Sequence, residues 1–398
     1  MTLSFADARA AVLREVLRQV LREVKAHPEL EIVPLGNSLG RVLARDLQAD
    51  RDLPALDRSV RDGYAVRAQD LPGPIAVTGT VRAGDAQSFL NAGEAVEIMT
   101  GAPIPLGADA VLMIEHVKVS GIRITHETVA PGTHISRRAE EAVSGQVLIS
   151  GGTRLDFSHI AVLATCGHSD VAVFRKPTVA ILATGDELVD VGQTPLPHQI
   201  RNSNMHALAA QVERAGGIPR LLPVAPDDRN QTRALIEDGL RSDLLLLSGG
   251  VSAGKFDFVE SAFADLGAVF HFDRAAIQPG APVVFGHCGQ RPFFGLPGNP
   301  ASTLVTFEIF ARAALNLLAG QRETALPISY GRLTEQFRHK LGLTRFLPAF
   351  QDAEGGLTPV RWRGSSDIAA VGRANVFLIA AADREVWDAG DFLPLLWK

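Results

Sequence analysis

Only two cysteines, Cys166 and Cys288, occur in 398 residues, far apart and outside any CxxC pattern. No disulfide framework is possible on that spacing, and the usage fits a reducing compartment. Aromatic residues make up 6% of the chain, too few for a base-stacking platform. A basic excess is also missing: 39 Lys and Arg against 44 Asp and Glu leave a net charge of −5, the opposite of a general nucleic-acid binder. No apolar run is expected to span a bilayer, and charges interrupt the first two dozen residues, so no signal peptide is expected. These absences predict a cytoplasmic protein with neither nucleic acid nor membrane as partner. The P-loop string GxxxxGK[ST] and the zinc string HExxH do not occur, and no GxGxxG opens the first helix of the α/β region. Eleven scattered histidines read as structural or exposed, and a Ser/His/Asp hydrolase gains no support.

What is present is an organised alternation of patterns. Val12, Leu13, Val16, Leu17, Val20, Leu21 and Val24 recur at helical spacing opposite Arg14, Glu15, Arg18, Arg22 and Glu23. Ser4 and Asp7 resemble a capping box at that helix's start, and the mixed charge favours a helix docked on a domain or in a dimer. Residues 50–136 lack long helical periodicity, and short apolar runs at 75–77, 96–99 and 110–114 predict strands. A short helix is expected over 158–166. The spacing then predicts strand 178–182, helix 204–215, strand 221–224, helix 231–240, strand 244–247, strand 293–294 and helix 300–318. Strands alternating with helices imply a parallel sheet covered on both faces. After Pro327 short runs broken by glycine predict a small β domain.

In such sheets ligands sit beyond the carboxyl ends of the strands. Three loops fall there: Thr184-Gly185-Asp186-Glu187, Ser248-Gly249-Gly250-Val251-Ser252, and Leu296-Pro297-Gly298-Asn299-Pro300, with Asn299 as N-cap of the long helix. Glycine lets backbone approach a ligand, and free amides at helix starts favour anions, so a phosphate-bearing ligand fits. Any one loop taken alone reads better as a tight turn; three on one sheet edge point to a site. Asp186, Glu187, Asp227, Asp228 and Asp257 share this region. They suit either a Mg²⁺ ion bridging to phosphates or helix-start acids facing the dipole. Asp62 and Thr100 each precede a glycine, where turn chemistry is the plain reading.

The wording of these motifs resembles the MoeA family, which includes the gephyrin E domain. The strings are LPALDRSVRDGYAV at 53–66, IMTGAPIPLGADAV at 98–111, ILATGDEL at 181–188, SGGVSAG at 248–254 and LPGNPAS at 296–302. They stand in the family's order over nearly the whole chain. The resemblance implies an α/β and β multidomain protein of four domains. These are a discontinuous domain (1–49 plus 137–174), an inserted β-rich domain (50–136), a three-layer MogA-like α/β domain on a parallel-rich sheet (175–326), and a C-terminal β domain (327–398). It also implies a homodimer with a site shared between subunits. The implied activity is Mg²⁺-dependent insertion of molybdate into adenylylated molybdopterin with release of AMP, and the implied partners are a molybdopterin adenylyltransferase and apo-molybdoenzymes. Asp62, Thr100, Glu187, Asp227 and Asp257 match the family's functional positions. Asp186, Glu187 and Asp257 would place Mg²⁺. Gly185, Ser248, Gly249, Gly250, Ser252, Pro297, Gly298, Asn299, Ser302, Gln278, Ser365 and Ser366 would bind substrate.

The chain also departs from the family pattern. A usual Lys-Pro-Gly-Lys-Pro reads Gln278-Pro279-Gly280-Ala281-Pro282, a usual Arg-Gly-Glu-Asp reads Arg138-Ala139-Glu140-Glu141, and a usual Gly-Arg-x-Glu-Phe-x-Arg reads Gly342-Leu343-Thr344-Arg345-Phe346-Leu347-Pro348. Molybdate handling is the function these changes touch. A pterin adenylyltransferase, or a pterin-binding protein with weak turnover, are the competing readings. Arg274, Lys255 and Arg345 are the candidate cations to compensate.

Overall fold

The computed structural model describes residues 2–22, 29–249 and 256–398. Among them are three six-stranded sheets and several two-stranded ribbons, and the core of the α/β sheet runs on into the C-terminal strands through Phe346, Phe377 and Leu396. The α/β sheet runs in the order Ile218–Leu221, Thr178–Ala183, Leu244–Ser248, Arg291–Leu296, Val284–Cys288, Val269–Phe272. Its first four strands are mutually parallel and its last two antiparallel. Alternate side chains explain the layering. Val179, Ile181, Leu244 and Leu246 enter one core, while Ala180, Leu182, Leu245 and Leu247 enter another. With both faces covered, these strands read as unbroken apolar runs rather than as alternation.

Three sequence expectations need correction here. The strand expected over 221–224 is Ile218–Leu221 instead. It is an edge strand, where Pro219 costs no ladder bond and apolarity is not required, whereas Leu222 turns inward to the core. The strands Val269–Phe272 and Val284–Cys288 were not anticipated, and the latter forms a hairpin with Arg291–Leu296. The helix 300–318 is continuous but carries a π-helical turn at Phe307–Ala311, between α-helical Pro300–Thr306 and Arg312–Leu318. By length and composition this helix is apolar enough to cross a membrane, against expectation, but 78% of it is buried inside the protein. Its apolarity serves the core.

The N-terminal helix Phe5–Arg22 starts on the expected box, with the Ser4 hydroxyl donating to Asp7 at 2.6 Å and the Asp7 N–H returning to Ser4 at 3.1 Å. Its buried face, Ala8, Val12 and Val16, belongs to the α/β core, although the resemblance assigns the helix to the discontinuous domain. Leu17, expected on that face, is exposed.

Around residues 50–136 the outgoing and returning chain run side by side. Leu30–Pro34 pairs with Asp170–Phe174, Leu47–Gln48 with Val147–Ile149, and Arg58–Ser59 with Ile135–Ser136. Between these rungs lies a sheet ordered Ala110–Met113, Gly63–Val66, Glu94–Ile98, Ile75–Val81, Arg123–Thr125, Lys118–Ser120. Its centre closes because Gly63 has no side chain: a Cβ there would stand 1.7 Å from the Leu112 carbonyl oxygen. After 327 five strands close into a barrel: Ile328–Leu333, Phe392–Trp397, Val376–Ala380, Thr344–Gln351 and Gly356–Pro359. Ile277–Gln278, from the α/β region, adds to this barrel beside Thr344–Gln351.

The return from the inserted sheet is clamped by Arg137 to Asp57 at 2.7 Å and Arg138 to Asp52 at 2.7 Å. Ala139 follows with φ of 61°, the left-handed region, where the family pattern has glycine. That conformation costs an L-residue about 1–2 kcal/mol. Relief of it outweighs the about 0.4–1 kcal/mol of added unfolded-state entropy that glycine brings. Ala139→Gly is therefore expected to raise stability by about 0.5–1 kcal/mol. The check is the urea midpoint at constant m-value, and an unchanged or lower midpoint counts against the strain.

Candidate active site

The parallel strands Thr178–Ala183, Leu244–Ser248 and Arg291–Leu296 end on the same edge, and hydrogen bonding continues past them. Thr184 N–H donates to the Ser248 carbonyl at 3.2 Å, Gly249 N–H to Leu296 at 3.2 Å, and Gly185 N–H to Ala225 at 3.3 Å. The loops thus leave the sheet in register and enclose a cavity of about 610 Å³. Gly185, at φ of 132°, and Gly249, at φ of 92°, both need their missing side chains. A Cβ on Gly185 would meet the Glu187 carboxylate at 2.3 Å, and one on Gly249 the Thr184 carbonyl oxygen at 2.9 Å. Asn299 caps the long helix by position, yet its side chain makes no capping bond. Its amide, on the cavity wall, is not spent on the helix.

The cavity has acidic and basic walls. Glu187 and Asp227 line it, and so does Arg201, whose Nε donates to the Gln193 carbonyl at 2.9 Å. Asp186 is exposed and accepts from the Asp227 N–H at 3.1 Å, bracing that loop. Mg²⁺ commonly takes one or two carboxylates and completes its shell with water and substrate phosphate. Glu187 and Asp227 match that demand. No protein-only cage of three His, Cys, Asp or Glu side chains forms among the described residues.

Most of the expected substrate residues meet here. Gly185, Ser248, Gly249, Pro297, Gly298, Asn299 and Ser366 line the cavity. Ser365 stands behind, its carbonyl accepting from the Ala301 N–H at 3.0 Å. Ser302 does not reach it: the residue is buried in the first turn, its carbonyl accepting from the Thr306 hydroxyl at 2.8 Å. Gln278 does not line it either, because it sits in the strand beside the barrel, in register with Arg345. The Nε of Arg345 is buried with no partner, and burial pulls its guanidinium below the usual range. Gly250, Ser252 and Lys255 lie outside the described residues, as does the side chain of Asp257, whose backbone belongs to the helix Phe256–Asp265. Gly250-Val251-Ser252-Ala253-Gly254 also spells GxSxG, a match that sequence reasoning missed, and it falls in that same stretch.

Asp62 and Thr100 form a unit of their own on the inserted sheet. Asp62 Oδ1 accepts from the Thr100 N–H at 2.7 Å and from its hydroxyl at 2.8 Å. Those two bonds hold the Asp62 carboxyl below the usual carboxylate range. Both residues are exposed, and no described residue of the inserted sheet lines the cavity. Sequence reasoning missed Arg201, Asn202, Ser203 and Asn204, all on the cavity wall. Asn204 matters most: its amide donates to the Ser248 hydroxyl at 2.9 Å and to the Gly298 carbonyl at 2.7 Å. The signal was the Asn202 N-cap, whose side chain accepts from the Met205 N–H and aims the first turn at the loops.

Comparison with known proteins bears on the family of the chain. Residues 3–167 match the model of the MoeA N-terminal region (domain I and II), and residues 180–317 match the "Probable molybdopterin binding domain". The molybdopterin molybdenumtransferase of Bacillus subtilis (strain 168) is 36% identical over 385 residues, covering 92% of this chain and 90% of that protein. The molybdopterin molybdenumtransferase of Staphylococcus aureus (strain MRSA252) is 30% identical over 377 residues, covering 92% and 90%. A molybdopterin biosynthesis MoeA protein structure from Pyrococcus horikoshii superposes with a TM-score of 0.83 at 27% identity, over the full length of both chains. Identity of this degree over nine-tenths of its length makes the chain a member of the MoeA family.

Proposed function

We propose that this protein inserts molybdenum into molybdopterin, taking the adenylylated pterin and molybdate and releasing AMP. The observation that carries the reading is the cavity at the sheet edge. The Asn299 side-chain amide and the Arg201 guanidinium supply donors for phosphate, and Glu187 and Asp227 supply carboxylate oxygens for Mg²⁺. A cation held by Glu187 and Asp227 would supply charge neutralisation to the phosphate. Ser248 and Asn299 orient the polar groups of the substrate. Asp62, kept ionised by Thr100, is better suited to accept a hydrogen bond than to take up a proton near neutral pH. The decisive assay combines purified protein, adenylylated molybdopterin, Mg²⁺ and graded molybdate, scored by AMP release and by activation of an apo-molybdoenzyme. Adenylylated pterin formation instead, or binding without turnover, would replace this reading by one of its competitors.

The four-domain layout and the homodimer belong to the same proposal. Asp62 and Thr100 do not line the cavity formed within their own chain, which motivates a site completed by the inserted domain of a second copy. Mixing Asp62→Ala with Glu187→Ala subunits is then expected to restore part of the activity that each homodimer lacks. Absence of recovery in verified heterodimers counts against the shared site.

Gln278 and Ala281 leave a tetrahedral dianion without the two family cations, and Arg345 is the cation the fold brings beside Gln278. A charge contact to an oxyanion is worth roughly 0.5–1 kcal/mol when exposed and about 2–5 when desolvated. Gln278→Lys with Ala281→Lys is therefore expected to lower the half-saturating molybdate concentration by about tenfold or more, at 1.4 kcal/mol per decade. Half-saturation already at micromolar molybdate, unchanged in the double variant, would mean that Arg345 or another cation has taken over.

A further inference from the structure

A second cavity, of about 290 Å³, lies where the N-terminal helix, the returning chain and the long helix meet. Three guanidinium groups converge on it: Arg9, Arg154 and Arg312. Arg9 donates to the carbonyls of Ile309 at 2.8 Å and of Thr324. Arg154 donates to Gly40 at 3.1 Å and Ala215 at 2.5 Å. Backbone carbonyls fix these side chains without cancelling their charge. A guanidinium has five N–H donors, so each retains some not used in these bonds. Arg312 has a carboxylate partner, Glu308, at 2.9 Å. That carboxylate is shared, because its other oxygen accepts from Gln211 at 2.8 Å and from Arg214. Glu323, also on the wall, accepts from the Ala325 N–H at 2.7 Å. Asn316 adds an amide whose Oδ1 is buried without a partner. Burial, and for Arg154 also the charge of Arg312, pulls Arg9 and Arg154 below the usual guanidinium range.

We infer that this cavity is a second binding site, separate from the large one, for a small tetrahedral oxyanion of the phosphate class. Arg9 and Arg154 are preorganised by bonds that cost them no positive charge, so an entering anion need not first break an ion pair. Planar forks facing one space suit oxygens set around a central atom. The Asn316 amide presents either its oxygen or its nitrogen once turned, matching a hydrogenphosphate, which carries both O–H and bare oxygens. The π-helical turn beside the cavity belongs to the helix that begins at the large cavity, so both sites share one rigid element.

The probe is inorganic phosphate, titrated at constant ionic strength against chloride and followed by thermal unfolding and by calorimetric binding. The wild-type chain is compared with Arg312→Gln, Asn316→Leu and Asn299→Asp. Arg312→Gln leaves Glu308 paired to Arg214 and Gln211, and Asn316→Leu removes an amide whose oxygen had no partner, so both should fold. Asn299→Asp places a carboxylate in the large cavity and repels phosphate there. The expected result is saturable phosphate binding that Arg312→Gln weakens at least tenfold, Asn316→Leu weakens less, and Asn299→Asp leaves in place. Binding lost in Asn299→Asp but kept in Arg312→Gln would put the anion in the large cavity and overturn the inference. A phosphate response equal to that of chloride would overturn it as well.

Discussion

The candidate site depends on one side chain that bonds to two of its loops at once. Asn204 donates from a single amide nitrogen to the Ser248 hydroxyl and to the Gly298 carbonyl. Ser248 ends one parallel strand and Gly298 lies in the loop after its neighbour, and Asn204 lies on the helix Ser203–Arg214. Its position is set by the Asn202 cap and by Met205 and Leu208, buried one turn on in the α/β core. A glycine loop alone is soft; pinned by a helix anchored in the core, it holds the cavity wall in one arrangement. Preorganisation of that kind favours binding, because ordering costs have been met in folding.

Charge is distributed with a similar economy. Glu187 and Asp227 share the cavity with Arg201, whose Nε is held by the Gln193 carbonyl. Asp62 and Thr100 are bonded to each other on a separate sheet, Asp62 already an acceptor for two donors. A carboxylate so engaged is fixed in direction as well as in ionisation. It is a rigid reference point that has to be brought to the cavity by something larger than a side-chain rotation. That requirement, rather than any feature of the cavity, is what makes a second copy of the chain part of the proposed function.

Much of this was legible in the sequence, for reasons that differ from element to element. The strand at 244–247 was readable because both its faces are buried, so every position is apolar. The loops after 183, 248 and 296 were readable because glycine and proline mark where backbone must turn. The edge strand Ile218–Leu221 was misplaced because solvent removes the demand for apolarity, and the adjoining Leu222 drew the assignment inward. Asn204 was hidden because the Asn202 cap signals where the helix starts, not that the residue two places on anchors a loop. The exclusion of Gln278 from the cavity wall depended on the C-terminal barrel docking beside Ile277–Gln278, a long-range pairing that no local spacing encodes.

The chain's departures from its family follow the same division between backbone and side chain. Gly185 and Gly249 are retained where φ is positive, and at Gly249 a Cβ would also collide with the Thr184 carbonyl; neither demand can be met from elsewhere in the fold. Ala139 replaces glycine at a left-handed position, where the cost is conformational and small enough to carry. The lysines replaced at 278 and 281 supplied charge, and charge acts over several ångströms from whichever element can deliver it. Arg345 arrives beside Gln278 on a different strand, with part of its guanidinium buried and unbonded. Shape constraints on the backbone are local and cannot be met from a distance, whereas electrostatic ones can be reassigned across the fold. The substitutions in this chain fall where that asymmetry permits them.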